Sequence, residues 1–550
     1  PWGLAFLSGV LCFLSFPRFD LEFLAWIALV PLFLALENQT VRKSFWLGWL
    51  AGTVYFLGTV HWVTNTMIYY GKLPAVLSYP VMMVFVVYLG LYVAAFASLF
   101  VFLRRRTTFP AVLSAPVLWV SLELLRTYAL SGFPWAALGY SQYLSLTVIQ
   151  IADITGVYGV SFLIVLVNLA ITRGTLLLRN RKFHLFSWRP VVAVFLLVAL
   201  DLGYGAFRLS EDKTSEPPSL RVGVVQANIS QDVKWDARFR QETINRYERL
   251  TRDLVSQSVG LVVWPEAAMP FLFEEDKPFR QQVIESVRAH RVPLLFGSPA
   301  VTTVGNRLRM YNSAYLLSAD GQVMGRYDKM HLVPFGEYVP LSTLLFFIDK
   351  MVEGIGDFLP GDSYTVMTLP LRNDTQQRAK ASAGKGEAPS GFDRPALCGS
   401  QQTCGGEMVA PPKVATVICF EVIFPDLVRR FVKDGAQMMS TITNDAWFGD
   451  SSAPYQHFSM VVFRAVENRV PFARAANTGV SGFIDRTGRI QKTSPIFVEA
   501  ALADTVRLRT QTTFYTRTGD VFAYACVIMA LSMIYAAIRT GPKGEEFSYA

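Results

Sequence analysis

Two patterns of apolar residues divide this chain. Long apolar runs, each near the length a bilayer core needs, occupy 2–16, 21–36, 45–63, 79–103, 111–130, 157–172, 191–207 and, far downstream, 521–538. They predict a polytopic α-helical membrane domain of about eight transmembrane helices. The first run continues into the second with no small-residue cleavage site, so it reads as a membrane helix, not a signal segment. The chain opens on Pro1, and the expectation is that its N-terminus is cropped.

Between residues 208 and 520 the pattern changes. Short buried-strand runs near 221–228, 261–264, 292–297, 311–317, 322–328, 414–418 and 438–443 alternate with amphipathic stretches near 276–290, 421–434 and 455–470. Turn residues Ala319-Asp320-Gly321 and Arg486-Thr487-Gly488 mark hairpins. The alternation predicts a layered α/β domain. The stretch 373–412, rich in Lys, Gly, Ser, Gln and Pro, reads as a loop insertion. The division expected is therefore 1–208 for seven membrane helices, 209–520 for the α/β domain and 521–550 for a last helix and tail.

Composition agrees with a bilayer protein: 550 residues are 52% apolar, with a mean hydropathy of +0.32. The net charge of +9 gathers in short loops, at Arg42-Lys43, at Arg104-Arg105-Arg106 and between Arg173 and Arg189, and no nucleic-acid motif accompanies it. Placing those loops in the cytoplasm makes the α/β domain extracytoplasmic and returns Arg539 and Lys543 to the cytoplasm. His61, Glu123 and Asp153 fall in or near apolar runs, where a structural hydrogen bond is the expected role. Of five cysteines, Cys12 and Cys526 lie in apolar runs and pack there. Cys398 and Cys404 sit in the insertion, as a disulfide or as two thiols; no second ligand pair nearby supports zinc.

The fifth, Cys419, ends the strand run of KVATVICFEVIFPDLVRRF and opens an amphipathic helix, a position that lowers a thiol pKa. Alone, such a Cys usually just closes a core strand. Two other stretches change that weighting. GLVVWPEAAMP delivers Glu266 at a strand end, and GRYDKMHLVPFGEYVP carries Lys329 with Glu337 eight residues on. A carboxylate to take a thiol proton, an ammonium to stabilise an oxyanion and a thiolate to attack a carbonyl form one chemical set. His331 and His457 are the alternative base candidates for a role that Glu266 already fills, and Trp264 and Trp447 are expected to line the site.

In this order the three segments resemble the nitrilase superfamily. Together with VVQANISQDVKWD, TNDAWFGDS and PYQHFSMVVFRAVENRVPFARAANTGVSGFID, they resemble its membrane-integrated branch, the apolipoprotein N-acyltransferases, over essentially the whole chain. That resemblance implies an α-β-β-α sandwich with catalytic Glu266, Lys329 and Cys419, accessory Glu337 and Glu421, and Trp235 near the entrance. Phe420 stands where Tyr is familiar, and the insertion is a second departure. The resemblance further implies ping-pong transfer of an acyl chain from a phospholipid, phosphatidylethanolamine being the usual donor, to the α-amino group of a diacylated apolipoprotein. It implies no cofactor or metal, a monomer, and a bacterial inner-membrane location with the catalytic domain in the periplasm. Phe420, Trp447, Phe346 and Phe347 are expected to contact substrate, the last two on an apolar arm at 341–358 that gates lipid entry. The competing readings are a membrane-anchored amidase or nitrile hydrolase, and a non-catalytic transporter or scaffold. The latter lacks the paired Gly/Pro-interrupted spans of many carriers.

Overall fold

The computed structural model describes residues 1–181, 185–214, 217–304, 307–334, 336–338, 358–370 and 410–540. Phe346, Phe347 and the rest of the expected arm before Phe358 lie outside the described residues, as do Cys398 and Cys404. The chain forms two compact units, one of Pro1–Lys213, Ser451–Phe463 and Thr513–Ala550, the other of Thr214–Asp450 and Arg464–Thr512.

The first unit is helical. Among the described residues four helices are long and apolar enough to cross a bilayer: Ala75–Arg106, Val157–Arg179, Leu185–Thr214 and Val521–Thr540. Val41–Val60 and Ala111–Tyr128 are further continuous helices, and Trp2–Leu14 is a shorter one. The run at 21–36 is not the single helix its apolar length predicts. It folds as a 3₁₀ turn, Glu22–Trp26, and a short helix, Val30–Ala35. Pro31, in the first turn of the second helix, cannot continue a helix begun at Glu22, and the break is closed by Asn168, fully buried on Val157–Arg179. Its Oδ1 accepts from Leu29 N at 2.8 Å and Val30 N at 3.2 Å, and its Nδ2 donates to Ala25 O at 2.8 Å. One amide thus satisfies the main-chain groups that the break exposes, which in an apolar environment is the condition for breaking a helix at all. Glu123 accepts from Trp119 Nε1 and Leu138 N, and Asp153 from Tyr204 and Arg208, the structural roles expected of them.

The second unit contains two six-stranded sheets. In the first, β1 (Ser219–Gln226), β2 (Leu261–Val263) and β3 (Leu294–Val304) run parallel, flanked by antiparallel β12 (Ala500–Arg507) on one side and β4 (Arg307–Leu317) and β5 (Val323–Asp328) on the other. The second repeats the plan: β7 (Lys413–Ile418), β8 (Met438–Thr443) and β9 (Phe472–Ala476) are parallel, with β6 (Met367–Thr368), β10 (Gly482–Ile484) and β11 (Ile490–Thr493) antiparallel outside them. β1 meets β9 across the unit, and Gln226 at the end of β1 accepts from the Ser481 and Ser494 hydroxyls. Helices Arg240–Val255 and Lys277–His290 bury Ile244, Tyr247, Leu250, Leu254, Val283 and Val287 against the first sheet. Such apolar burial contributes on the order of 1.5–3 kcal/mol per large side chain.

Strand β3 runs seven residues beyond the Gly297 at which sequence pattern ends it. Gly297 and Pro299 read as breakers. Gly297 is in fact a close-approach position within the strand, since a Cβ there would lie 2.5 Å from Ala267 N and 2.7 Å from Glu266 Cα.

A fully buried ion pair joins β9 to the loop after β8: Arg474 Nη2 lies 2.8 Å from Asp445 Oδ2, and neither side chain is exposed. Asp445→Ala strands a buried guanidinium and is expected to lower stability by about 3–5 kcal/mol, read as a drop in the denaturation midpoint. Adding Arg474→Met to that variant should recover most of the loss; a larger loss in the double variant contradicts this account.

Candidate active site

The predicted chemistry gathers at the C-terminal ends of strands, where open α/β sheets leave a crevice. Pro265 terminates the β2 segment, and Ala267 takes a left-handed conformation with φ 45°. The intervening Glu266 is wedged against Gly297, whose N–H donates to Pro265 O at 3.1 Å. The residue is 7% exposed. Glu266 Oε1 accepts from Asn312 Nδ2 at 2.7 Å, and Oε2 from the main-chain N–H of Asn444, which directly follows β8, at 2.9 Å.

Lys329 follows β5 directly and is 1% exposed. Its own N–H donates to Asn312 O and its carbonyl accepts from Gly361 N, both at 2.8 Å, so the main chain beneath it is pinned on two sides. Nζ sits 2.9 Å from Glu337 Oε2 and 3.6 Å from Glu266 Oε1. Burial alone would lower its pKa; the Glu337 and Glu266 carboxylates outweigh that and hold the ammonium above its ordinary value. Glu337 is itself fixed by donors from Val333 N and Asn312 Nδ2, each at 2.8 Å. Asn312 therefore bridges both carboxylates with one amide nitrogen.

Cys419 follows β7 in a left-handed conformation, φ 53°, a strained position for a residue with a side chain. The expected helix does not begin there. Cys419–Ile423 is a single 3₁₀ turn, Phe424 is extended, and the α-helix starts at Pro425. Pro425 is suited to a first helical position and restricts the residue before it to an extended conformation, which separates the thiol from the helix N-terminus. Burial drives the thiol pKa up, the Glu266 carboxylate adds to the rise, and Lys329 works against it. The resting group is thus a thiol beside a carboxylate, contrary to the lowered pKa that a helix N-terminus predicts.

Glu421, fully buried, ties the Lys and Cys segments together. Oε1 accepts from Tyr327 OH and Met330 N at 2.7 Å and His331 N at 3.1 Å, while Oε2 accepts from Ile418 N at 2.7 Å. Burial raises its pKa against those bonds. A carboxylate, an ammonium and a thiol in one desolvated centre have what acyl transfer through a thioester requires.

Of the other expected residues, Trp235 closes the turn Gln231–Lys234 with 38% of its surface exposed. Phe420 and Trp447 are half-buried; Phe420 lies 5.4 Å from the Phe424 ring, and Trp447 belongs to the 3₁₀ turn Asp445–Phe448. Trp264 does not line the site. It is a core residue, 1% exposed, stacked on Tyr247 and donating to Thr251 at 2.9 Å. His331 packs on Phe424, and His457, in the other unit, stacks on Trp135. Sequence reasoning missed Asn312, Asn444 and Lys234. Asn312, a lone amide inside an apolar strand run, was the available signal, because such groups are retained only where they have partners.

Residues 221–512 match the carbon-nitrogen hydrolase family, and residues 8–170 match the apolipoprotein N-acyltransferase N-terminal domain. Among curated relatives, the apolipoprotein N-acyltransferase of Geobacter metallireducens is 43% identical over 98% of this chain and 95% of its own. That of Chlorobaculum tepidum is 32% identical over 98% and 97%. A solved amidase of the nitrilase superfamily from Nesterenkonia AN1 covers 56% of this chain and 98% of its own at 15% identity and a TM-score of 0.38, too distant for anything to rest on it. With relatives this similar along its full length, the chain belongs to the apolipoprotein N-acyltransferase family.

Proposed function

We propose that this enzyme moves an acyl chain from a phospholipid, phosphatidylethanolamine in the first instance, to the α-amino group of the diacylglyceryl-cysteine that begins an apolipoprotein, in two half-reactions through Cys419. The observation that carries the reading is the Lys329 ammonium, held 2.9 Å from Glu337 and 3.6 Å from Glu266 in the centre that contains the thiol. Glu266 takes the Cys419 proton as sulfur attacks the ester carbonyl, and Lys329 stabilises the resulting oxyanion. Collapse breaks the ester C–O bond, and the departing lysophospholipid oxygen receives the proton from Glu266. In the second half the amine attacks the thioester and gives its proton to Glu266. The C–S bond breaks, the amide forms, and the proton returns to sulfur. Glu337 and Glu421 position Lys329 and Cys419; Trp235, Phe420 and Trp447 contact substrate.

We place the catalytic unit in the periplasm of a bacterial inner-membrane protein, acting as a monomer, with 1–208, 209–520 and 521–550 as its parts. The eight membrane crossings comprise the four long helices together with Trp2–Leu14, the broken 22–35 segment, Val41–Val60 and Ala111–Tyr128. The loop charges support that orientation, and a site held at a bilayer avoids extracting each lipid chain at about 0.8 kcal/mol per methylene.

Incubating the full-length enzyme with labelled phospholipid should add one acyl mass to Cys419, and a diacylated lipopeptide should remove it as an amide. Cys419→Ser abolishes the adduct. Lys329→Ala slows its formation by about a hundredfold to a thousandfold, as loss of an oxyanion donor does. Hydrolysis of small amides with no lipid adduct would favour the amidase reading instead.

Glu421→Gln replaces one acceptor oxygen by N–H₂, which at best faces the Ile418 N–H and leaves that donor unpaired. It should cost about 1–3 kcal/mol of stability and slow adduct formation, and a variant with unchanged denaturation and rate would remove Glu421 from this role.

For orientation, an exposed cysteine replacing Asp253, in a variant without Cys398, Cys404 and Cys419, should react with an impermeant maleimide on spheroplasts. One replacing Thr108 should react only after lysis, and the opposite pattern inverts the topology.

A further inference from the structure

Lys234 has no part in the transfer as described. It ends the turn Gln231–Lys234, beside Trp235, yet it is only 2% exposed. Its Nζ donates at 3.0 Å to the main-chain oxygen of Glu266. That is the one hydrogen bond of its side chain among the described residues, where it pairs with no carboxylate.

The turn that carries it is fixed from both sides. Gln231 Oε1 accepts from Asn444 Nδ2 at 2.8 Å, and Asn444 is the residue whose N–H holds Glu266. Asn477 donates to Ile229 O at 2.7 Å and to Asn444 Oδ1 at 3.0 Å. The ammonium is therefore held against the Glu266 peptide.

A carbonyl oxygen can be satisfied by a neutral donor at far lower desolvation cost than a buried ammonium requires. The charge itself needs an account, and the centre provides one. Glu266 and Glu337 both lie against Lys329, two carboxylates on one ammonium. The groups acting on Lys234 come from the turn after β2, Glu266, and from the end of β7, Cys419; Lys329, after β5, faces the same Glu266. Burial lowers the Lys234 pKa to about 8, with Glu266 and then Cys419 opposing the fall.

We propose that Lys234 is a positioning residue of this centre: its ammonium fixes the main chain of Glu266 through a charge-assisted hydrogen bond and so holds that carboxylate where it meets the Cys419 thiol. This rests on the reading of Glu266 as the base. Where Lys234 loses its proton, near pH 8, that bond loses its charge assistance, and the wild-type rate acquires an alkaline limb that Lys234→Met lacks.

The test uses full-length enzyme in nanodiscs, with Lys234→Met and Lys234→Arg. Two rates are followed from pH 5 to 9: alkylation of Cys419 by iodoacetamide, which needs no lipid, and acyl-adduct formation from labelled phospholipid. The expected result for Lys234→Met is a tenfold or greater loss in both maximal rates, half-saturation by lipid changed less than twofold, and no alkaline limb near pH 8. Lys234→Arg, charged throughout this range, should recover at least half of the loss. The proposal is overturned if Lys234→Met keeps the wild-type alkaline limb, whether or not the protein is less stable, or if Lys234→Arg is as impaired as Lys234→Met. If wild type forms no lipid adduct while the alkaline limb of alkylation is lost in Lys234→Met, the proposed acyl donor fails and the role of Lys234 stands.

Discussion

A buried ammonium held among carboxylates is the constraint on which this centre depends. Lys329 is 1% exposed, and an ion so far from water is tolerated only with well-placed partners. Every neighbouring element supplies or orients one. β2 ends in the Pro265 turn that delivers Glu266, β4 contributes Asn312 to bridge Glu266 and Glu337, and the segment after Lys329 folds back so that Val333 N holds Glu337. Glu421 then fastens Met330 and His331, just beyond the Lys, to Ile418, just before the Cys. Two sheets with equivalent strand orders make this possible, since the parallel strands of each present their C-terminal ends.

Glu266 and Cys419 were legible because each follows an apolar run, LVVW with its Pro265 stop and VATVI, and Lys329 because it follows the strand that pairs back across Ala319-Asp320-Gly321. What holds them was not legible. Asn312 is a polar residue inside a strand, Asn444 acts through its main-chain N–H, and Lys234 lies in a polar stretch where a lysine ordinarily faces water. Gly297 misled in the other direction. Its missing Cβ serves an approach to Glu266 by a segment distant in sequence, and a local rule reads it as a turn.

Apolar length was a weaker guide in the helical unit. It located Ala75–Arg106, Val157–Arg179, Leu185–Thr214 and Val521–Thr540. It could not foresee that 21–36 breaks, because the break is stabilised by Asn168 from a helix more than a hundred residues away. Hydropathy counts side chains, whereas the break is decided by where main-chain N–H and C=O groups find partners.

The thiol shows how the two levels combine. Sequence places Cys419 between strand and helix and suggests a thiolate stabilised by a helix N-terminus. In the folded protein Pro425 delays the helix, and burial with a neighbouring carboxylate raises the thiol pKa. A thiol of that kind does not ionise freely at neutral pH. In the proposed reaction its proton leaves when a base takes it while sulfur bonds to carbon and the charge moves onto an oxygen beside Lys329. The same conditions keep the resting sulfur in its less reactive form, since the thiolate is the species that oxidants attack. In the proposed reaction, a buried, protonated nucleophile with its base in place stays inert until each substrate reaches it in turn.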